Sequence, residues 1–178
     1  MHMKKITMFT DGSSRGNPGN GGYGTIIVTD SLTHELGGYN KLTTNNIMEM
    51  TAVIMGFEYI ANHKSVYSDQ CESHIYCDSS YVVTGITSWI HGWQKNNWKT
   101  ANKKPVLNQE LWMEMSRLRD LLSVSYKLHF HHIRGHAGIP GNERCDVIAT
   151  SFADSLQTPL FHGSFTDYET NNPNILSV

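Results

Sequence analysis

The sequence contains little cysteine and no long apolar segment. Three cysteines, Cys71, Cys77 and Cys145, occur in 178 residues and form no Cys-x-x-Cys pair. This odd, scattered set argues against a disulfide framework and predicts reduced thiols, with Cys145 in an apolar helical pattern as a core residue. No run of about 18 apolar residues occurs, which argues against a transmembrane helix. The start of the chain lacks a secretory signal pattern, so we expect a cytoplasmic protein.

The chain also lacks an overall positive charge. Its 14 basic residues are outnumbered by 16 acidic ones, whereas nucleic-acid-binding proteins usually carry a basic surface. The charges are nevertheless segregated along the chain. Residues 89–109 contain four lysines and no acidic residue, and residues 145–178 contain four acidic residues and no lysine or arginine. The sequence therefore predicts a local basic stripe on a mildly acidic protein.

Hydrophobic periodicity predicts an α/β fold. Strand-like segments within residues 4–10, 23–29 and 33–39 predict an antiparallel meander, with a glycine-rich loop after the first strand. Apolar residues then recur at helical spacing from Asn45 to Ala61. A short strand ends at Cys77, and a helical stretch broken near Gly85 follows it.

The rest of the chain adds a helix around residues 111–122, a strand over 125–133 and a helix over 142–156. This order favours a single domain over residues 4–156, with one mixed sheet flanked by helices. Residues 157–178 are rich in polar residues and are predicted to form a loosely ordered acidic tail.

Four carboxylates stand at the predicted ends of elements. Asp11 and Asp78 end strands, and Glu49 and Asp146 lie near helix starts. Adjacent first and fourth strands would place Asp11 beside Asp78, and helix starts above that edge could add the other two. Such carboxylates repel one another unless divalent ions such as Mg²⁺ bind them. Two ions could activate a water for phosphodiester cleavage. Each acid taken alone could equally be a helix cap or a surface residue.

Five segments resemble, in the same order, the motifs of type 1 ribonuclease H. They are residues 9–24 (FTDGSSRGNPGNGGYG), 43–50 (TTNNIMEM), 76–81 (YCDSSY), 85–100 (GITSWIHGWQKNNWKT) and 134–146 (RGHAGIPGNERCD). The likeness covers roughly residues 4–153, and five ordered motifs make it specific. It implies a ribonuclease H-like fold whose mixed five-stranded sheet has three antiparallel strands and then two parallel ones.

The resemblance implies an endoribonuclease that hydrolyses the RNA strand of RNA–DNA hybrids and leaves 5′-phosphate and 3′-hydroxyl ends. Two Mg²⁺ ions, with Mn²⁺ as an alternative, would be held by the family's four carboxylates. His136 matches the family's loop histidine, which is thought to help proton transfer or product departure, and histidine titrates in a suitable range. The partner would be the hybrid duplex, and we expect a monomer. The matching carboxylates are Asp11, Glu49, Asp78 and Asp146.

The resemblance also implies where the two strands of the hybrid would bind. The RNA strand, with its 2′-hydroxyls in a shallow minor groove, would meet Gly12, Ser13, Asn17, Asn45 and Asn46. Glycines between residues 16 and 22 would let the backbone approach it. Ser80 stands where bacterial members frequently have a glutamine that contacts bases, so we expect only part of that contact here. The DNA strand would meet Trp93, Lys95, Trp98, Lys99, Lys103 and Lys104.

Other interpretations remain for parts of the sequence. Trp89 and Trp93 are one helical turn apart, which favours a core position for Trp89 and leaves Trp93 balanced between core and groove wall. A different nuclease or a transposase-like protein of the same fold, or a hybrid-binding protein that does not cut, would share most of these features. His129, His131, His132 and His136 cluster in sequence. They match no zinc spacing, so we interpret them as polar strand residues rather than ligands of a transition metal.

Overall fold

The protein is described by a computed structural model covering residues 4–68 and 70–178. Strands and helices alternate after an initial group of three strands. In chain order the elements are β1 (Lys5–Gly16), β2 (Gly19–Val28), β3 (Leu32–Thr43), α1 (Asn45–Asn62), β4 (Glu72–Cys77), α2 (Ser80–Thr84), a π-helical turn (Gly85–Trp89), α3 (Ile90–Lys95), α4 (Gln109–Ser123), β5 (Lys127–His132), α5 (Pro140–Ala153), β6 (His162–Ser164) and α6 (Phe165–Asn171).

One mixed sheet carries the strands in the order β5-β4-β1-β2-β3-β6. β1, β2 and β3 form an antiparallel meander, and β4 and β5 run parallel to β1. These five strands are arranged as predicted. The structure adds β6, which pairs antiparallel with the outer edge of β3.

The glycine-rich segment is strand rather than loop. The prediction that the first strand ends around Asp11 and that a loop follows it through Gly22 is wrong, because β1 continues to Gly16 and β2 begins at Gly19. A Cβ at Gly22 would lie 2.3 Å from the Ala149 carbonyl oxygen, and one at Gly24 would lie 2.4 Å from that of Cys145. These glycines therefore let α5 pack directly on the strand.

Two apolar cores lie on opposite faces of the sheet. The larger one packs α1, α4 and the α2–α3 segment on Ile6, Met8 and Ile75. The smaller one packs α5 and the C-terminal residues on Phe9 and Ile26. Cys145 is fully buried there, as predicted for a core thiol. Within the part of the chain that the structure describes, no helix is long and apolar enough to cross a membrane.

The helical stretch after Asp78 changes its winding at the predicted break. A Cβ at Gly85 would lie 2.0 Å from the Trp112 ring, so only glycine lets the stretch cross the buried tryptophan of α4. The helix passes there into a π-helical turn and continues as α3.

The C-terminal segment is packed, so the prediction of a loosely ordered tail is wrong. Besides β6, it forms α6, and Tyr168 and Ile175 are each 1% exposed. Tyr168 donates a hydrogen bond of 2.6 Å to Glu35 of β3. The apolar residues of this segment are too sparse to show a period in the sequence, and their partners lie more than 100 residues away. Sequence pattern alone could therefore not distinguish it from a mobile tail.

Candidate active site

The first pair of predicted site residues lies where β1 and β4 run side by side. The parallel register pairs Thr10 with Cys77, so Asp11 and Asp78 follow next to each other at the same sheet edge. Asp11 is only 6% exposed. The predicted adjacency of the two strands, on which this arrangement depended, is confirmed.

Glu49 joins this edge from α1. The Thr44 side chain caps the helix by accepting a hydrogen bond from the Ile47 amide, and the helix that begins there passes over Gly12 of β1. Glu49 lies five positions after Thr44 on the same helix and is 5% exposed. Ligand atoms of Glu49, Asp78 and the Cys77 thiol all lie within 4.8 Å of one another. Burial raises the pKa of the Cys77 thiol, which keeps it a neutral neighbour beneath the carboxylates.

The carboxylates destabilise one another's charged forms. Burial, followed by the charges of Asp78 and Asp146, raises the pKa of Asp11 from 3.8 to about 8. Burial and the charges of Asp11 and Asp78 likewise raise the pKa of Glu49 well above its ordinary value. Glu49 Oε2 and Asp78 Oδ1 are buried and find no hydrogen-bond partner among residues 4–68 and 70–178. The site therefore holds negative charge that the described side chains do not compensate.

Asp146 and the loop of His136 also adjoin the acidic centre, which is formed by Asp11, Glu49 and Asp78. Asp146 of α5 is half-buried and acts on Asp11 through its charge. His136 is exposed, in the loop between β5 and α5, with a positive φ of 51°. The Gly138 amide of that loop donates to Glu143 of α5. A Cβ at the neighbouring Gly135 would lie 2.6 Å from Asp78 Oδ2, so the loop that carries His136 runs directly past Asp78.

A groove beside Glu49 collects the asparagines predicted for the RNA strand. It is lined by Asn17, Asn45 and Asn46, and its far wall is formed by Leu107 and Asn108. The Asn17 side chain accepts from the Asn45 amide at 2.9 Å, and the Asn45 side chain donates to Glu49 at 3.4 Å. The groove is therefore joined to the acidic centre by direct hydrogen bonds. Ser13 is half-buried on β1, and Ser80 is exposed at the start of α2.

The basic segment forms a separate protrusion. Trp93 and Trp98 are half-buried and pack against the larger core, and Trp98 donates its amide to the Trp93 carbonyl at 2.7 Å. Trp89 is 42% exposed, so the prediction of a core position for it is wrong, because Trp112 of α4 occupies the core beneath it. Lys99 and Lys103 line a shallow groove with Asn96, Asn97, Thr100 and Ala101. Lys95 and Lys104 are exposed on the same protrusion.

Comparison with known proteins identifies the family. The family model described as RNase H matches residues 3–154. A protein named Ribonuclease H from Thermosynechococcus vestitus is 48% identical over 149 residues, covering 83% of this chain and 87% of its own length. The chain belongs to the ribonuclease H family. It is therefore a hydrolytic enzyme of the endonuclease class, as the five motifs predict.

Solved ribonuclease H structures share the fold. LC9-RNase H1, described as a type 1 RNase H with the type 2 active-site motif, superimposes with a TM-score of 0.75 at 25% identity. That match covers 99% of this chain and 86% of the other. LC11-RNase H1, solved in complex with an RNA/DNA hybrid, gives a TM-score of 0.58 at 24% identity, covering 86% and 99% of the two chains. The ribonuclease H-like fold predicted from the motifs is confirmed.

Sequence reasoning missed two residues that hold Asp78 in this ribonuclease H. A Cβ at Gly135 would lie 2.6 Å from Asp78 Oδ2, so glycine alone lets the β5–α5 loop pass the carboxylate. Asn142 is 3% exposed and donates to the same oxygen at 3.3 Å. Both residues belong to the matched segment 134–146, but a neutral residue inside a motif gives no chemical signal of its own. Their role becomes visible only when β4 and α5 are placed together.

Gly12 also has a structural role that the sequence did not indicate. A Cβ at this position would lie 2.2 Å from the Glu49 amide nitrogen, so α1 could not approach β1 with any larger residue. The Gly12 amide donates toward the carboxylates of Asp11 and Glu49. Gly21 and Gly22 likewise contact protein, since Cβ atoms there would lie 2.3 Å from the Thr43 side chain and the Ala149 carbonyl. Internal packing therefore accounts for these two glycines, which were predicted to face nucleic acid.

Proposed function

We propose that this ribonuclease H hydrolyses the RNA strand of RNA–DNA hybrids by two-metal-ion phosphodiester cleavage, giving 5′-phosphate and 3′-hydroxyl products. The observation that carries the proposal is the group of buried, mutually repelling carboxylates at one sheet edge, with the asparagine-lined groove attached to it. The protein would act as a monomer on the hybrid duplex.

The chemistry of the acidic centre fits hard divalent cations. Its available donors are carboxylate oxygens, and two of them, on Glu49 and Asp78, accept no hydrogen bond from the described residues. Mg²⁺ prefers such oxygens, and Mn²⁺ accepts the same set. Asp11, Glu49, Asp78 and Asp146 would hold the ions. When bound, the ions supply charge neutralisation, a more acidic water and stabilisation of the leaving oxygen.

The chain's own groups would orient these ligands and handle protons. Hydrogen bonds from the Gly12 amide and the Asn45 side chain fix the orientation of Glu49. Asn142 and the close backbone at Gly135 fix Asp78. Such support matters because ligand placement errors of a fraction of an ångström weaken catalysis. His136, exposed in the loop that passes Asp78, would accept or donate a proton on the side of the leaving group or assist product departure.

The two strands of the hybrid would bind on either side of the acidic centre. Amide and hydroxyl groups suit recognition of 2′-hydroxyls in a wide minor groove, so the RNA strand is assigned to the groove beside Glu49. Its residues would be Gly12, acting through its backbone, with Ser13, Asn17, Asn45 and Asn46. Ser80 would contribute a weaker contact to bases. The DNA strand is assigned to the protrusion, where Trp93 and Trp98 would form the wall and Lys95, Lys99, Lys103 and Lys104 would neutralise phosphates.

The test is cleavage of end-labelled substrates of one sequence, offered as RNA–DNA hybrid, duplex RNA and duplex DNA, with and without Mg²⁺. We expect cutting of the RNA strand of the hybrid alone, only with the ion, and products whose ends are 5′-phosphate and 3′-hydroxyl. Binding of the hybrid without cutting would instead support a non-cleaving hybrid-binding protein. Equal cutting of duplex DNA would support another nuclease activity on the same fold.

A further inference from the structure

A second cluster of metal-ligating side chains lies away from the acidic centre, on the edge formed by β4 and β5. Side chains alternate along a strand, so Glu72 and His74 of β4 face the same side as His129 and His131 of β5. The other side of both strands packs on the larger core. All four residues are half-buried, so each keeps part of its surface exposed to solvent.

The parallel register brings these side chains into contact. His74 lies directly opposite His129 in the ladder. Their rings stack with centroids 4.6 Å apart, and the carboxylate of Glu72 approaches both, at 3.3 Å from His74 Nε2 and 3.8 Å from His129 Nε2. One ligand atom from each of the three residues lies within 4.8 Å of the others. Three donors thus converge on one point at the surface of the sheet.

We propose that Glu72, His74 and His129 form a site for a divalent transition-metal ion, with Zn²⁺ as the occupant. Two imidazole nitrogens and one carboxylate oxygen are borderline and hard donors that suit Zn²⁺, and solvent completes a four-coordinate ion on the open side. Sequence spacing gave no sign of it, because the ligands come from two strands 55 residues apart and are joined only by the ladder.

His131 is the positioning residue of this site. Its Nε2 lies 2.9 Å from His74 Nδ1, and the two rings are nearly parallel, with an interplanar angle of 5°. The hydrogen bond at Nδ1 fixes the ring and directs Nε2 toward Glu72, with which it makes a hydrogen bond of 3.3 Å that a bound ion would replace. His129 Nε2 is buried and accepts or donates no hydrogen bond within residues 4–68 and 70–178. A bound ion would supply the partner that this nitrogen lacks.

The site differs chemically from the acidic centre on the same strand. His74 precedes Asp78 by four residues, which corresponds to about 13 Å along an extended strand. The catalytic donors are oxygens that suit Mg²⁺, whereas two of the three donors here are nitrogens, which Mg²⁺ binds poorly. An ion held by β4 and β5 together would tie the edge strand to its neighbour. Because such an ion would bind only the folded chain, its binding would stabilise the folded protein increasingly as the Zn²⁺ concentration rises above the dissociation constant.

The experiment is a titration of the protein with Zn²⁺ in millimolar Mg²⁺, which is added to fill the carboxylate centre that the proposed function assigns to it. Calorimetry would give the stoichiometry, and long-range proton–nitrogen spectra of the histidine rings would locate the ion. We expect one Zn²⁺ per chain and shifts of the His74 and His129 Nε2 resonances. His129→Ala should weaken binding at least about tenfold, the loss expected when about 1.4 kcal/mol of ligand contribution is removed. His91→Gln, at an exposed histidine of α3, is the matched control and should bind like the wild type.

A second variant, Glu72→Gln, tests the proposal even if His129→Ala fails to fold. Glu72→Gln keeps the size of the side chain but removes its charge, and it should reduce both Zn²⁺ affinity and the rise in melting temperature that Zn²⁺ produces. Two results would overturn the proposal. One is Zn²⁺ binding that leaves the His74 and His129 resonances unmoved, which would assign the ion to other residues. The other is equal affinity in the wild type, His129→Ala and Glu72→Gln.

Discussion

Buried carboxylates occur at two sites in this protein, Glu35 on β3 and the acidic centre around Asp11 and Glu49, and their electrostatic surroundings are opposite. Glu35 of β3 is fully buried and receives both nitrogens of a guanidinium fork, Arg144 Nε at 2.7 Å and Nη2 at 2.8 Å. The Tyr168 hydroxyl and the Phe161 amide add hydrogen bonds of 2.6 and 2.9 Å. Although burial alone would raise it, these donors hold the pKa of Glu35 below its ordinary value.

The carboxylates of the acidic centre are buried to a comparable extent, but among the residues that the structure describes no arginine side chain binds them as Arg144 binds Glu35. Asp11 and Glu49 are 6% and 5% exposed, and the charged groups that act on them are other carboxylates. Their pKa values rise where that of Glu35 falls. Burial therefore does not by itself distinguish a structural carboxylate from a functional one. The difference is whether the protein supplies the positive charge or leaves it to be bound from solution.

The largest expected effect is on catalysis. Asp11→Asn keeps the shape of the side chain but removes a proposed ligand and a negative charge. We expect cleavage of the hybrid to fall by at least about four orders of magnitude, because loss of several kcal/mol of transition-state stabilisation has that effect. Single-turnover cleavage in Mg²⁺ measures it.

Binding of the hybrid to Asp11→Asn separates a chemical role from a structural one. Affinity measured without cleavage should stay close to that of the wild type, since the groove and the protrusion are unchanged. Undiminished cleavage by this variant would contradict the assignment of Asp11 as a ligand. Loss of both binding and folding would instead place Asp11 with Glu35 as a structural carboxylate.

The sequence predicted the acidic centre better than the Glu35 site, for a physical reason. Asp11 lies where the pairing of β1 with β4 ends, and Asp78 directly follows β4, so adjacency of the two strands suffices to bring them together. The partners of Glu35 lie 109 and 133 positions away, on α5 and on a segment with no readable period. Asn142 was missed for the same reason, because its contact with Asp78 depends on how α5 packs. Order along the chain predicts strand ends but not contacts between distant side chains.

The next effect is on stability. Arg144→Met leaves Glu35 buried without its cation, and we expect a loss of about 3 kcal/mol in the free energy of unfolding, measured with urea. Arg15→Met is the matched control. Arg15 makes a similar fork with Asp154, at 2.6 Å for both contacts, but the two side chains are 44% and 43% exposed. Its loss should be much smaller, because solvent screens an exposed pair. Equal losses in the two variants would remove the distinction drawn for Glu35.

Asp11 of the acidic centre and Glu35 should also make opposite contributions to the dependence of stability on pH. Without metal, folded Asp11 keeps its proton between 3.8 and about 8 while the unfolded chain has lost it, so its contribution to stability falls as pH rises through this window. The lowered pKa of Glu35 has the reverse sign, and its contribution is lost as pH falls below 4.5. Melting temperatures in a chelator, compared for the wild type and Asp11→Asn, isolate the first effect. The variant should show a weaker decline toward pH 8, and identical profiles would contradict the raised pKa.

The smallest expected effect concerns the C-terminal segment's contribution to the Glu35 site. Tyr168→Phe removes one hydrogen bond to a charged acceptor that keeps two other partners, so we expect a loss of about 1.5 kcal/mol in the free energy of unfolding. Tyr67→Phe is the matched control, since Tyr67 is equally buried but its hydroxyl has no hydrogen-bond partner in the described ranges 4–68 and 70–178. Removing an unpartnered buried hydroxyl should be neutral or stabilising. If Tyr168→Phe were as harmless as Tyr67→Phe, Arg144 and the Phe161 amide alone would account for the low pKa of Glu35, and α6 would cover that site without compensating its charge.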